Sequence, residues 1–146
     1  MRLVRFANVW LAGLFAGFVL TVLVLEQSLR RFDAQIYTQV RQVELVRLDT
    51  LASVTLLPAI ITTAILVLRA RRGPAVAALV LLIGVFVLTL AVNLPINADQ
   101  THWVVENPPA DWADVRDRWQ VSHLVRTVAA MTAFGLLAGM RRQPAE

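Results

Sequence analysis

Four apolar stretches, spread over the whole chain, constrain its fold more than any other feature of the sequence. They cover roughly residues 6–27, 48–69, 75–95 and 117–140. Each is long enough to cross a hydrocarbon core of about 30 Å as a helix that rises about 1.5 Å per residue. The 146 residues are 58% hydrophobic with a mean hydropathy of +0.63, too apolar for a soluble domain of this size. The sequence therefore predicts one all-α domain over residues 1–146, an integral membrane four-helix bundle.

The composition excludes several kinds of chemistry and of partner. There is no cysteine, so disulfides, thiolate metal sites and a cysteine nucleophile are excluded. All 14 basic residues are arginine, which excludes a lysine Schiff base. The net charge of +4 does not indicate nucleic-acid binding, because the arginines cluster where the apolar stretches end. The predicted partner is the lipid bilayer.

The arginines also predict an orientation. With four spans, seven of them fall on one side of the membrane: Arg2, Arg5, Arg69, Arg71, Arg72, Arg141 and Arg142. Arginine is enriched in cytoplasmic loops, so this side is predicted to be the cytoplasm. We therefore expect a multi-pass plasma-membrane protein with cytoplasmic N- and C-termini, in which residues 93–126 lie on the non-cytoplasmic side.

The segments between the spans carry signals of their own. Apolar residues recur at helical spacing through residues 30–47, which predicts an extension of the second helix above or along the membrane. Pro95 disfavours helix at the residue before it, so the third helix is predicted to end or bend there. A structured loop should follow, and the Asp111 side chain is predicted to cap a helix that begins near Trp112.

Residues 93–126 hold half of the acidic residues, three of the four tryptophans and both histidines. Within them, Arg116, Trp119, His123 and Arg126 are spaced three, four and three, which places them on one helix face. An ionisable group inside an apolar span costs a few kcal/mol unless it faces the bundle interior. This stripe predicts an inward polar pocket. The alternative is that Arg126 extends outward to the interface and His123 is an ordinary buried residue.

Each of the other helices offers polar groups at the same level, namely Glu26, Glu44, Asp49, Asn93 and Asn97. A carboxylate beside His123 would orient its imidazole and make it a general base, and Arg126 could stabilise an oxyanion. Alternatively, Glu26 and Asp49 are interfacial charges that are solvated or paired with arginine.

No bound metal or other cofactor is predicted, because the sequence has no HxxxH or ExxH pair. If iron, manganese or copper were bound, the ligands would come from His123, Glu26, Glu44 and Asp49. Trp112 and Trp119, seven apart on one helix face, are either interfacial aromatics or walls that stack on a flat substrate.

The stretch Asn93-Leu94-Pro95-Ile96-Asn97, followed by Trp112, Arg116, Trp119, His123 and Arg126, resembles a membrane family of unknown-function proteins that includes the anthrone oxygenases. The resemblance extends to the glycine-rich first span and, more loosely, to Tyr37 and Gln42. It implies a four-helix membrane bundle. The named members of that family oxidise an anthrone to an anthraquinone with O2, without an established cofactor.

This resemblance implies roles for the residues above. The catalytic set is His123, Arg126, Asn93 and Asn97, and the substrate-binding set is Trp112, Arg116, Trp119, Tyr37 and Gln42. We expect an oxygenase that acts on a small aromatic or quinol-like compound in a pocket at the non-cytoplasmic interface.

A different class of function also fits the sequence. The same pocket would serve a non-catalytic membrane module that binds a quinone or another small molecule, or an accessory subunit of a larger membrane complex. Gly13 and Gly17 form a GxxxG pair that allows close helix approach, so a homo-oligomer is a further expectation. Glycine is also simply common in membrane helices.

Overall fold

The computed structural model describes residues 2–70 and 73–140, and its regular elements there are helices. They are α1 (Arg2–Leu29), α2 (Ala34–Leu45), α3 (Leu48–Ala70), α4 (Gly73–Leu88), a π-helical turn (Thr89–Asn93), α5 (Leu94–Gln100) and α6 (Trp112–Ala138). Four arginines that support the predicted orientation lie outside the described residues: Arg71, Arg72, Arg141 and Arg142.

Four helical stretches of the described chain are long and apolar enough to cross a membrane: Arg2–Leu29, Leu48–Arg69, Gly73–Gln100 and Trp112–Ala138. α1 packs against α3 and α6, and α4 packs against the same two helices, so the four spans form a closed ring. Large apolar side chains such as Trp10, Val80 and Val121 are exposed on the outside of the spans, as a lipid environment requires. The predicted all-α membrane bundle is confirmed, and the chain is a multi-pass membrane protein.

Small side chains line the contacts between the spans, among them Ala12, Ala16, Ala59, Ala78, Ala130 and Ala133. They let the helix backbones approach closely, which is the main source of packing energy between helices in lipid. At Gly13 a Cβ atom would lie 3.0 Å from the Phe134 ring, so this glycine serves a contact between α1 and α6. Gly17 has open space around it instead. Only one glycine of the GxxxG pair is therefore used within the chain.

The third span does not leave the helix at Pro95. The Leu94 N–H donates to the Thr89 carbonyl, five residues back, and this wider turn joins α4 to α5. Pro95 then sits in the first turn of α5, where its missing N–H leaves no hydrogen bond unmade. Of the two predicted outcomes, an end or a bend, the end is wrong, because the helical backbone continues through the π turn into α5. As a result the span runs on to Gln100 and carries Asn97 into the interior.

α2 is a separate helix, not a continuous extension of the second span, because a turn at Val46 and Arg47 separates it from α3. The Asp33 side chain caps its first turn by accepting from the Ile36 N–H at 2.9 Å. One face of α2 is buried against α3 and α5 and carries Tyr37, Thr38, Arg41 and Glu44. We call the end of the bundle where α2, α5 and the start of α6 meet the α2 end.

α6 begins at Trp112 as predicted, but the Asp111 side chain does not cap it. The Asp111 backbone has φ −93° and ψ 13°, outside the extended conformation that directs a capping side chain at the first turn. Its carbonyl accepts from the Asp114 and Val115 N–H groups instead, at 3.0 and 3.1 Å. The preceding loop is ordered by a bond from the Trp103 indole N–H to Asp99 at 3.0 Å.

Candidate functional site

The stripe on α6 faces the interior of the bundle, as its spacing predicts. Arg116, Trp119, His123 and Arg126 keep 9%, 3%, 2% and 5% of their surface exposed. Three of these side chains, Arg116, His123 and Arg126, are ionisable groups inside a membrane span, so their hydrogen-bond partners determine what the site can do.

His123 is held by the backbone of α1. Its Nε2 lies 2.9 Å from the Val19 carbonyl oxygen, which can only accept a hydrogen bond, so Nε2 carries a proton. In the neutral ring the lone pair is then on Nδ1, which is buried and has no hydrogen-bond partner among the described residues. The prediction that a carboxylate orients this imidazole is wrong, because a main-chain carbonyl does so. The free lone pair is what a general base needs.

Trp119 fixes the plane of that imidazole. The two rings are stacked, with centroids 4.6 Å apart and planes 9° from parallel. The Trp119 indole N–H donates to Asn97 Oδ1 at 2.7 Å, and the Arg41 guanidinium carbon lies 4.3 Å from the indole centroid. The orientation of His123 thus depends on groups from α2, α5 and α6.

Arg126 is a buried cation without a hydrogen-bonded partner, and the Asp49 carboxylate on the same cavity wall is its counter-charge. Among the described residues no acceptor forms a hydrogen bond or salt bridge with its guanidinium, and its Nε is fully buried. Leaving a buried charged donor unsatisfied is costly, more so inside a membrane span. The Arg126 Nε–H is therefore free to donate to an oxygen atom of a bound molecule.

His123 and Arg126 line the same small cavity at the α2 end, which we call the inner cavity. Its volume is about 30 Å³, enough for a molecule of the size of water or O2. The polar side chains of its wall are Arg41, Glu44, Asp49, Asn97, Trp119, His123 and Arg126. A second cavity of about 140 Å³, the side cavity, shares Asp49, Ala52, Asn97 and Arg126 with it.

Arg41 is the residue that connects the walls of the site, and the sequence analysis missed it. Only 2% exposed, it pairs through Nη1 with Glu44 at 2.8 Å and Glu26 at 3.1 Å. Its Nη2 donates to Asn97 and Gln100, both at 2.9 Å. Burial opposes the charge, but Glu26, Tyr37 and Glu44 more than offset it and raise the pKa of Arg41. Its i,i+3 spacing with Glu44 was the one available sequence signal.

The carboxylates of the site therefore form ion pairs with arginine and accept hydrogen bonds from side-chain amides. Glu26 is fully buried, pairs with Arg41, and accepts from Gln120 Nε2 at 3.0 Å. Asp49 accepts from Asn97 Nδ2 at 2.9 Å. Within residues 2–70 and 73–140, no group of three or more His, Asp and Glu side chains is placed to hold a metal ion. Of the four residues considered as metal ligands, Glu44, Asp49 and His123 line the inner cavity without forming such a group, and Glu26 is not part of its wall.

A family model described as anthrone oxygenase matches residues 48–136, more than half of the chain. The chain belongs to the anthrone oxygenase family. Neither a curated protein nor a solved structure gives a match. The matched range includes His123, Arg126 and Asn97, whereas Glu26 and Arg41 precede it.

Three predicted substrate-binding residues form a separate cluster in this anthrone oxygenase family member. The rings of Tyr37 and Trp112 lie 5.6 Å apart at 42°, and the Arg116 guanidinium lies 4.8 Å from the Trp112 ring. Arg116 also donates to Asp117 at 2.9 Å. None of the three predicted residues lines the inner or side cavity. Tyr37 and Trp112 pack with Trp119 in the apolar core of the α2 end.

The other two predicted residues that do not line either cavity, Gln42 and Asn93, donate hydrogen bonds to main-chain carbonyls. Gln42 donates to the Trp103 carbonyl at 2.7 Å and so attaches α2 to the loop before α6. Asn93 donates to the Trp119 carbonyl at 3.4 Å and accepts from the Ser122 hydroxyl at 2.8 Å. Of the nine predicted site residues, the structure brings four to the inner cavity: Asn97, Trp119, His123 and Arg126.

Proposed function

We propose that this protein is an oxygenase that converts an anthrone-like aromatic ketone into the corresponding quinone with O2. One observation carries the proposal: the free lone pair of His123 and the unsatisfied Nε donor of Arg126 belong to one cavity wall. A base next to an anion stabiliser is what proton abstraction from a carbon conjugated to a carbonyl requires.

The proposed reaction begins with His123 Nδ1 taking a proton from the activated C–H of the substrate. The electron pair is delocalised onto the carbonyl oxygen, where Arg126 and Asn97 stabilise the negative charge. O2 accepts electrons from this carbanion and forms a C–O bond, and the His123 proton converts the product into a hydroperoxide. Loss of the second C–H proton with cleavage of the O–O bond gives the new carbonyl and water. One substrate and one O2 thus yield one quinone and one water.

The position of the site supports these reactants. Both O2 and flat aromatic ketones are apolar and concentrate in membranes, and all four membrane-spanning segments contribute to the wall of the inner cavity, together with α2. A buried cation acts there in a low effective dielectric, where it stabilises an anion more than in water.

We further propose that the protein lies in the plasma membrane with its termini in the cytoplasm and its α2 end outside. The arginine distribution supports this orientation. The chain has no cysteine, so single cysteines can report it. Val104→Cys, in the exposed loop of the α2 end, should react with an impermeant maleimide in intact cells, and Leu3→Cys should not. The reverse labelling pattern would contradict the orientation.

The test of function is O2 uptake and quinone formation by the purified protein with a panel of anthrones and quinols. His123→Ala and Arg126→Ala should each lower kcat, the former by about 10²-fold or more, the usual contribution of a general base. His102→Ala is the matched control, because His102 is exposed in the loop. Full turnover in folded His123→Ala and Arg126→Ala proteins would refute the proposal.

Two other outcomes of the same assay are informative. Tight binding of the substrate panel without O2 uptake would favour the non-catalytic binding module. The proposed reaction uses side chains and O2 alone, so stoichiometric iron, manganese or copper that turnover requires would contradict that part of it.

A further inference from the structure

We infer that the substrate reaches the site sideways from the lipid, through the side cavity between α3 and the π turn. The chemical class of the ligand rests on the proposed function, an aromatic ketone of low water solubility. The route rests on the shape and lining of the side cavity alone.

The side cavity joins the lipid-exposed surface of the bundle to its polar interior. At one end it is lined by Leu57, Leu90 and Leu94, which are 42%, 50% and 40% exposed within membrane-spanning segments. At the other end it is lined by Asn97 and Arg126, which are 6% and 5% exposed. A molecule in this cavity would have apolar contacts toward the membrane and a hydrogen-bond donor at its inner end.

The polar side chains along the passage are satisfied by their own helices. The Thr89 hydroxyl, in the π turn, donates to the Val85 carbonyl at 2.7 Å. The Ser53 hydroxyl donates to the Asp49 carbonyl at 2.9 Å. These groups therefore offer no free donor to a ligand, and the wall behaves as an apolar surface up to its inner end.

At the inner end Arg126 has an unsatisfied donor, whereas Asn97 Nδ2 already donates to Asp49 at 2.9 Å. The Arg126 guanidinium has no acceptor among the described residues. A ligand that is apolar over most of its length and carries a carbonyl oxygen at its leading edge complements this gradient. An aromatic ketone would enter with that oxygen first and place it at Arg126, beside His123. The proposed reaction needs this arrangement, with the carbonyl oxygen at the cation and the base next to it.

Ala52 lines both the side cavity and the inner cavity. Asp49, Asn97 and Arg126 also line both, but each is a polar residue of the site. Ala52 therefore offers a way to close the passage without touching the proposed chemistry. A leucine at this position would add side-chain volume to the wall that the two cavities share.

The experiment measures binding of anthraquinone, the stable quinone product, to protein in lipid nanodiscs. It is carried out in a His123→Ala background, so that turnover cannot interfere. Ala52→Leu should raise the dissociation constant at least tenfold and, in the wild-type background, lower kcat/KM similarly. Leu90→Trp, at the lipid-facing mouth, should act in the same direction without altering buried packing. Ala77→Leu, on an exposed part of α4, is the matched control and should change neither quantity.

The outcomes separate this inference from the proposed function. Binding and turnover that are unchanged in both Ala52→Leu and Leu90→Trp would overturn the lateral route and leave the oxygenase proposal standing. Anthraquinone binding that both variants block, in a protein that never consumes O2, would support the route and refute the oxygenase. Oleate that displaces anthraquinone with equal affinity would identify the side cavity as a lipid-chain site and overturn the inference.

Discussion

The imidazole of His123 lies flat against the indole of Trp119, with centroids 4.6 Å apart and planes 9° from parallel. The indole is in turn fixed by its bond to Asn97 and by the guanidinium of Arg41. The plane of the proposed base is thus set by residues from three helices, although its one direct polar contact is with a main-chain carbonyl.

Trp119 should therefore affect catalysis without touching the reacting atoms. Trp119→Phe keeps a ring against His123 but loses the N–H donor to Asn97, a bond worth about 1 kcal/mol, so kcat should fall about fivefold. Trp119→Leu removes the aromatic stack as well, and kcat should fall further. Trp103→Phe is the control, because that indole bonds to Asp99 in the loop. A Trp119→Leu protein with wild-type kcat would show that the stack has no catalytic role.

Arg41 should be the most sensitive position for stability at the α2 end. Arg41→Met leaves Glu26 and Glu44 buried without their cation, which should cost about 3–5 kcal/mol of unfolding free energy. Unfolding titrations in mixed detergent micelles measure the loss, with the exposed Arg47→Met as the control.

A rescue separates this charge effect from lost packing. Adding Glu26→Gln and Glu44→Gln to Arg41→Met should recover much of the stability, because the uncompensated charges are then gone. If Arg41→Met is as stable as Arg47→Met, the buried ion pairs described for Arg41 do not exist in the membrane.

Tyr37 should control the alkaline stability of the protein. Burial and the nearby Glu26 carboxylate raise the pKa of Tyr37 above its ordinary value of 10.0. The unfolded chain then loses this proton at a lower pH than the folded chain, so the contribution to stability is complete below pH 10 and declines as the pH rises above it.

The composition allows this prediction to be tested by tyrosinate absorbance. Tyr37 is the single tyrosine of the chain, so tyrosinate absorbance reports on this side chain alone. Tyrosinate absorbance should appear only as the protein unfolds at high pH, and Tyr37→Phe should flatten the fall of the melting midpoint. Reversible phenolate formation in the folded protein near pH 10 would contradict the burial of Tyr37.

Gln42 should stabilise the loop before α6. Gln42→Ala removes the bond to the Trp103 carbonyl and should cost about 1 kcal/mol, with faster amide exchange in residues 101–111. Gln39→Ala, an exposed neighbour on the same helix, should leave exchange unchanged. A raised KM without faster exchange would instead support the substrate-binding role that the resemblance implies.

The parts of this site that sequence predicts are those set by helical period and by the cost of charge in lipid. Arg116, Trp119, His123 and Arg126 repeat at three- and four-residue steps, and no other face of α6 could bury them together. Asn97 was predicted from the resemblance, although Pro95 suggested that it lay beyond the end of the helix.

The remaining contacts leave no pattern in the sequence. The partner of His123 is the Val19 carbonyl, a main-chain atom that any residue carries. Arg41 meets Gln100 across 59 positions of chain, and its helix has the alternation of charged and apolar residues that is typical of a surface segment. The π turn that keeps the third span helical past Pro95 depends on backbone winding rather than on residue type.

The ion pairs of Arg41 also constrain the order in which the protein is made. Its partners come from three of the four spans and from α2 itself: Glu26 is on the first span, Glu44 on α2, Gln100 on the third span and Trp119 on the fourth. During synthesis the contacts of the Arg41 guanidinium are therefore complete only after the last span has left the ribosome and entered the bilayer. The docking of α2 is the closing event of biogenesis, and a chain truncated before Trp112 would present an unfinished polar surface to membrane proteases.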